Sequence, residues 1–290
     1  LNVHATTPPA WAAQIGAGPL FGPASVSDDL GRQAAITTIL DARARDPHNW
    51  HVWQINWHVQ EGDLDDAHGG APLEQLLPQH SIIFTLDRPR QPVMLFWGVD
   101  RNHPAVCLTV GLRLSVFLCQ TGIDGDGAKA IAKLPSLARM AVSAGVQKRN
   151  YLRRMHPELS RAFLLDRARL LIEPWEVESV VVAIAGTDQS KLGLDAGRHI
   201  LQTLRDAAVQ AGQAAGLDVV VDYSSLETNT ALELDDPTTF WRAAGGLSEI
   251  ADSSIVSLKL PYVSADAIWR HLRHAWHTPG ISHVRFWQGA

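Results

Sequence analysis

Val177-Glu178-Ser179-Val180-Val181-Val182-Ala183-Ile184-Ala185 is the stretch on which the fold of this 290-residue chain turns. Five of its nine residues are β-branched, and such side chains suit a pleated, half-buried surface, so the run is expected to be a strand. A helical pattern follows over about 195–211, Gly216 punctuates, and 217–223 reads as a second strand. Residues 254–260 and 282–287 give two more, separated by a helix that Ser264 opens and Trp276 ends. The order strand–helix–strand, insertion, strand–helix–strand fits a ferredoxin-like βαββαβ unit over 176–290, with 224–252 as the insertion. The alternative is a Rossmann-like α/β unit with a parallel sheet, favoured if 236–250 forms a crossover helix. Val181, Ile184, Leu201, Leu204, Val220, Ile255, Leu258 and Trp269 are the expected core.

Upstream, residues 1–175 are expected to form a mixed α+β domain that ends in a basic helical segment and packs on the ferredoxin-like unit. Residues 1–27, rich in Pro, Gly, Ala and Thr, read as an arm over a surface. Asp28 and Asp29 can cap a helix that ends before Asp46-Pro47, because the residue before proline is pushed out of the helical region. Strands are expected at 51–57, 81–86, 92–97 and 105–114, with an acidic loop at 61–70. From Pro135 to about 172 the pattern is helical, with a break near His156-Pro157.

At 46% hydrophobic and 19% charged residues, the chain belongs to the globular class rather than to disordered or fibrous ones. Its two cysteines, Cys107 and Cys119, form no Cys-x-x-Cys pair. A disulfide framework is excluded as the stabilising device, and a reducing, cytoplasmic setting is expected. The apolar run 105–119 falls short of the roughly 20 residues that span a bilayer and carries Arg113 inside it, so no membrane partner is expected. The first residues carry no basic-then-apolar secretory pattern; because the chain opens on Leu1, a removed signal would leave no trace.

The least ordinary feature is the placement of charge. Residues 139–169 hold eight basic side chains, among them Lys148, Arg149, Arg153 and Arg154, against Glu158 and Asp166. This local +6 stands in a chain of net charge −5. Arg149 and Arg153, four apart, share a helix face. Such a helix suits a nucleotide, a nucleic acid, an acidic protein or another polyanion; the structural counter-reading is a solvated or internally paired helix. The turn Gly186-Thr187-Asp188-Gln189-Ser190-Lys191, between the expected strand and helix, offers backbone N–H groups and Lys191 to an anion, although it is neither a phosphate-binding P-loop nor a Gly-x-Gly-x-x-Gly fingerprint.

Two segments are rich in His and Trp: 48–58, and a second containing Trp269, His271, His274, Trp276, His277 and then His283. Imidazoles bind metals and carry protons near neutral pH, so a metal- or His-dependent enzyme with its site between these segments is the alternative function, with His51, His271 and His274 as candidate metal ligands. His271 and His274 share a helix face, but no His-Glu-x-x-His pattern is present, and His51 and His58 fall on opposite faces of a regular strand. A third reading makes the Trp-rich surface a docking face for a homo-oligomer or a larger assembly. Asp124-Gly125-Asp126 begins like a calcium loop, but its twelfth position is Pro135 rather than an acid. No Gly-x-Ser-x-Gly elbow, family signature or cofactor motif is found.

Overall fold

The computed structural model describes residues 2–4, 55–64, 82–89, 99, 102–103, 105–116, 127–155, 157, 165–185, 191–228, 237–260 and 264–288. Within them, eight strands form one sheet: β1 (Asn2–His4), β2 (Ile55–Val59), β3 (Ile82–Leu86), β4 (Ala105–Arg113), β5 (Ala168–Trp175), β6 (Val219–Thr228), β7 (Ser253–Leu260) and β8 (His283–Gln288). Their spatial order is β1-β2-β3-β8-β7-β6-β5-β4. Five α-helices accompany them: α1 (Gly127–Met155), α2 (Val177–Ala185), α3 (Lys191–Ala214), α4 (Pro237–Ser248) and α5 (Ala265–Trp276).

The deciding stretch is a helix, α2. Val177, Val180 and Val181 are buried and Ile184 packs against the same core, whereas Val182 is 44% exposed. That is the i, i+3, i+4, i+7 stripe of a helix, and it outweighs the β-branched composition because propensity is a weak local preference that packing overrides. The strand lies one element earlier. Ala168 to Ile172 are buried without interruption, as expected of a strand sandwiched between β4 and β6. The helical reading of 135–172 is corrected accordingly: α1 begins before Pro135 and ends at Met155.

The ferredoxin-like assignment is corrected by the ladders. β5, β6, β7 and β8 are consecutive and mutually parallel, whereas a ferredoxin-like unit interleaves its strands in an antiparallel sheet. Parallel neighbours require crossovers; α2 and α3, then α4, then α5 supply them. The expected insertion contains the crossover helix α4, so the parallel α/β alternative describes the connectivity, with strand order running in one direction from β4 to β8. β1–β3 form a second parallel block. The two blocks meet antiparallel at β3–β8 through Ile83↔Arg285, Phe84↔Val284 and Thr85↔His283.

Hydrogen bonding therefore joins strands from both sides of residue 175, through β5–β6 and β3–β8. Asn2–His4 enters the sheet beside β2 rather than lying as an arm. The expected helix at 28–44, the strand at 92–97 and the Asp124 turn lie outside the described residues. No helix among the described residues is long and apolar enough to cross a membrane.

All five helices cover the same face of the sheet. Phe84, Val256, Leu258, Val284 and Phe286 pack with residues of α2, α3, α4 and α5 in one cluster. Leu170, Ile172, Val219 and Val221 pack with α1 and α3 in another. Since strand side chains alternate between faces, the intervening residues belong to the opposite face, free of these helices.

Candidate functional site

That opposite face carries the candidate site. Residues paired across neighbouring strands point to the same side, and the register sets two adjacent rows across β2, β3, β8 and β7. One row is Asn56–Ile83–Arg285–Ser257, and the next is His58–Thr85–His283–Ile255. Asp87 follows Thr85 by two residues, and the pair Asp222↔Ser253 extends the polar surface onto β6. Asn56, His58, Thr85, Asp222, Ser253, Ser257 and His283 are all buried. A sheet covered on both sides normally fills both faces with apolar residues, and a concentration of buried polar groups is the informative departure.

Three of the contacts define its chemistry. His58 Nδ1 lies 3.1 and 3.0 Å from the two Asp87 carboxylate oxygens, with side-chain exposures of 0% and 5%. An ionised carboxylate only accepts hydrogen bonds, so this contact places the ring proton on Nδ1. Arg285 donates from Nε and Nη2 to Ser257 Oγ at 3.1 and 2.9 Å, which orients a cation on the same face. His283 Nδ1 is 3.3 Å from the Ser254 carbonyl oxygen. Asn56 Oδ1, Thr85 Oγ1 and Ser253 Oγ are buried with no hydrogen-bond partner, a condition uncommon in folded proteins outside functional sites or hydrated cavities.

The basic helix divides its charges between structure and surface. Arg149, expected at the anion surface, is buried and donates to the Gly216 and Ala215 carbonyls at 2.6 and 3.1 Å. It thereby holds the C-terminal turn of α3, where cations and donors are favoured, and Gly216 there has φ 60°. Arg153 pairs with the Asp166 carboxylate. Lys148 and Arg154, by contrast, line an open cleft of about 520 Å³ together with Leu108, Ala144, Gln147, Asn150 and Tyr151. Lys148 Nζ lies 5.7 Å from the Tyr151 ring centroid. Lys191 starts α3; the preceding turn lies outside the described residues, as does His51.

His271 and His274 differ in their surroundings. His271 is buried with its ring 6.1 Å from both the Trp241 and Phe286 rings, while His274 is half-buried. Burial pushes the His271 pKa down to about 4, and His274 and Arg270 add to the effect, so the ring is neutral near pH 7. No three His, Cys, Asp or Glu side chains among the described residues converge as a metal site. Burial also raises the Cys107 pKa, which disfavours the nucleophilic thiolate.

The sequence had singled out the two His-rich segments without seeing how they meet. The structure sets His58 and His283 in one row with Thr85 between them. The available signal was the two-residue spacing of Asn56/His58, Thr85/Asp87 and His283/Arg285.

An α/β sheet with helices on one face and a buried polar opposite face is thus the class defined here. No family model matches the chain, and no curated protein matches it. Among solved structures, it is similar to the anaerobic ribonucleotide reductase from Thermotoga maritima in complex with dATP and CTP. That match has TM-score 0.65 and 12% identity, covering 89% of this chain and 51% of the other. The same enzyme with citrate in the active site gives TM-score 0.62 at 12% identity, covering 99% of this chain and 60% of the other. The chain spans about half the length of the first of these. At these identities the likeness is one of fold.

Proposed function

We propose that this chain binds a nucleotide, or a phosphorylated small molecule of that class, on the polar face of its sheet. The observation that carries the reading is the two-row register, which gathers the buried Asn56, His58, Thr85, His283 and Ser257 and the half-buried Arg285 from four strands onto one surface. Arg285 offers the planar cation that suits phosphate, and Asn56 and Thr85 offer hydrogen-bonding atoms without partners. The similar fold of a reductase solved with dATP and CTP supports the choice of ligand class.

Calorimetric titration with dATP and CTP tests the reading. Arg285→Ala is expected to weaken binding by about tenfold or more, since a charge-assisted hydrogen bond contributes roughly 1.5–3 kcal/mol. Saturable binding that no variant of the polar face affects would refute it.

A second reading is favoured by the cleft beside α1: Lys148 and Arg154, with Tyr151 between them, would receive a polyanion. Because Arg149 and Arg153 are engaged within the fold, the charge reversals that test this reading are Lys148→Glu and Arg154→Glu. Nucleic-acid affinity that falls steeply with salt and is lost in that double variant would favour the helix over the sheet.

A further inference from the structure

We propose that His58, held by Asp87, is a proton-accepting residue toward a hydroxyl group of the molecule bound on the polar face. The inference rests on the binding reading above and adds a chemical role to it. Asp87 accepts the hydrogen bond from Nδ1–H, so the basic lone pair of the neutral ring lies on Nε2. A carboxylate that holds the proton-bearing nitrogen fixes the tautomer and stabilises the imidazolium formed when the ring takes up a proton. Both side chains are almost wholly buried, where an ionic partner acts more strongly than in water.

A second observation points to a ligand at the same place. Thr85 is directly opposite His58 in the register, and Asn56 precedes it by two residues on the same face. Thr85 Oγ1 and Asn56 Oδ1 are buried, at 5% and 3% residue exposure, without hydrogen-bond partners. Together the three side chains present one basic nitrogen and two further polar atoms to one small area. Arg285 and His283 lie across β3 in the same two rows, with Cα separations from β2 of roughly 10 Å given the usual strand spacing. A small polar molecule lying over Thr85 of β3 would meet side chains of both His-rich segments.

The step is a reversible proton transfer. The O–H bond of a ligand hydroxyl breaks, its proton forms the new bond to His58 Nε2, and both electrons of the broken bond remain on oxygen. Asp87 stays ionised and its charge balances the imidazolium, while the Arg285 guanidinium on the same face offsets the charge left on the ligand. Return of the proton to the ligand restores the neutral ring.

Two measurements on the whole chain test the inference. Nitrogen-15 NMR of the imidazoles is expected to find the neutral His58 ring protonated at Nδ1, with the Nε2–H form gaining population in Asp87→Asn. Calorimetry near pH 7 is expected to find CTP bound at least about fivefold more tightly than its 2′,3′-dideoxy analogue, because Nε2 accepts from a ligand hydroxyl. His58→Phe should reduce that preference to less than about twofold while keeping affinity for the dideoxy analogue within about tenfold. If His58→Phe fails to fold, Asp87→Asn carries the test, with the preference expected to fall at least twofold. Equal affinity for CTP and the dideoxy analogue, or the same preference in the variants, overturns the inference and leaves the binding reading intact. A His58 proton found on Nε2 overturns it irrespective of CTP, and a wild-type chain that binds neither CTP nor dATP overturns both.

Discussion

A neutral imidazole buried between two aromatic rings has a different proton affinity from the same imidazole in an unfolded chain, and this makes His271 a reporter of folding. Its folded pKa is about 4 against an ordinary 6.5. Between those values the unfolded chain binds a proton that the folded chain does not, so stability falls as pH drops from 6.5 toward 4 and His271 adds no further loss below that. From pH 7.5 to pH 5 the His271 contribution to this loss is about 2 kcal/mol. In His271→Leu that component should vanish, which urea denaturation at the two pH values would detect as a smaller difference in stability. An equal pH dependence in the variant would contradict the buried, neutral assignment. Arg149 illustrates the converse at the same scale. Its sequence neighbourhood advertises an anion site, yet the fold uses the guanidinium to satisfy two carbonyls at the end of α3. Charge counted along a sequence does not reveal whether the partner is a ligand or the protein's own backbone.

At the scale of elements, the strands 81–86, 105–114, 217–223, 254–260 and 282–287 were legible because each is a short apolar run between turn signals. They correspond to β3, β4, β6, β7 and β8. The helix opened by Ser264 was legible as well, and the Ser264 hydroxyl does accept a hydrogen bond from the Ala267 N–H. The segment 168–185 was not, because two elements join there with almost no spacer. Glu176 alone separates β5 from α2, with φ 62°, and its carboxylate accepts a hydrogen bond from Ser115 and faces Arg113 Nε at 3.4 Å. A left-handed glutamate held by distant residues is not a turn signal that sequence can display. The candidate site was hidden for a related reason: its polar residues recur at two-residue spacing, which from sequence alone resembles an ordinary solvated strand face, and they come together only when the register aligns four distant segments. Alanine substitutions along α2 test the assignment. Val180→Ala and Val181→Ala should each cost about 2 kcal/mol, from two buried carbon groups at roughly 0.8 kcal/mol apiece plus an incompletely filled space. Val182→Ala should change stability little, because its side chain is largely exposed and alanine is the better helix former. A strand would instead pair Val180 with Val182 and separate Val181, so equal costs at 180 and 182 would restore the strand reading.

For the whole molecule, the central question is whether the two parallel blocks behave as one cooperative unit. The seam between them is β3–β8, and Arg88, just past β3, reinforces it. Its guanidinium donates to the carbonyls of Trp276, Ala275, Thr278 and Ile281 and lies 5.6 Å from the Trp276 ring centroid. One side chain thus ties the strand that ends the N-terminal block to the end of α5 and the entry to β8. Burial lowers its pKa, yet guanidinium stays charged at any ordinary pH, so its donors remain available. Removing it by Arg88→Ala leaves carbonyls at the C-terminus of α5 without these donors and removes a cation favoured at that helix end. The expected loss is on the order of 3 kcal/mol, and Arg88→Lys should recover only part of it because a point charge cannot reach several carbonyls with a planar fork. Since the seam joins both blocks, Trp fluorescence and far-ultraviolet circular dichroism should report one coincident urea transition in the wild type. Arg88→Ala should shift both probes together to lower urea with an unchanged slope. Two separate transitions, with the substitution moving one and leaving the other in place, would instead divide the chain into independent units and remove the seam as the element that aligns the polar face.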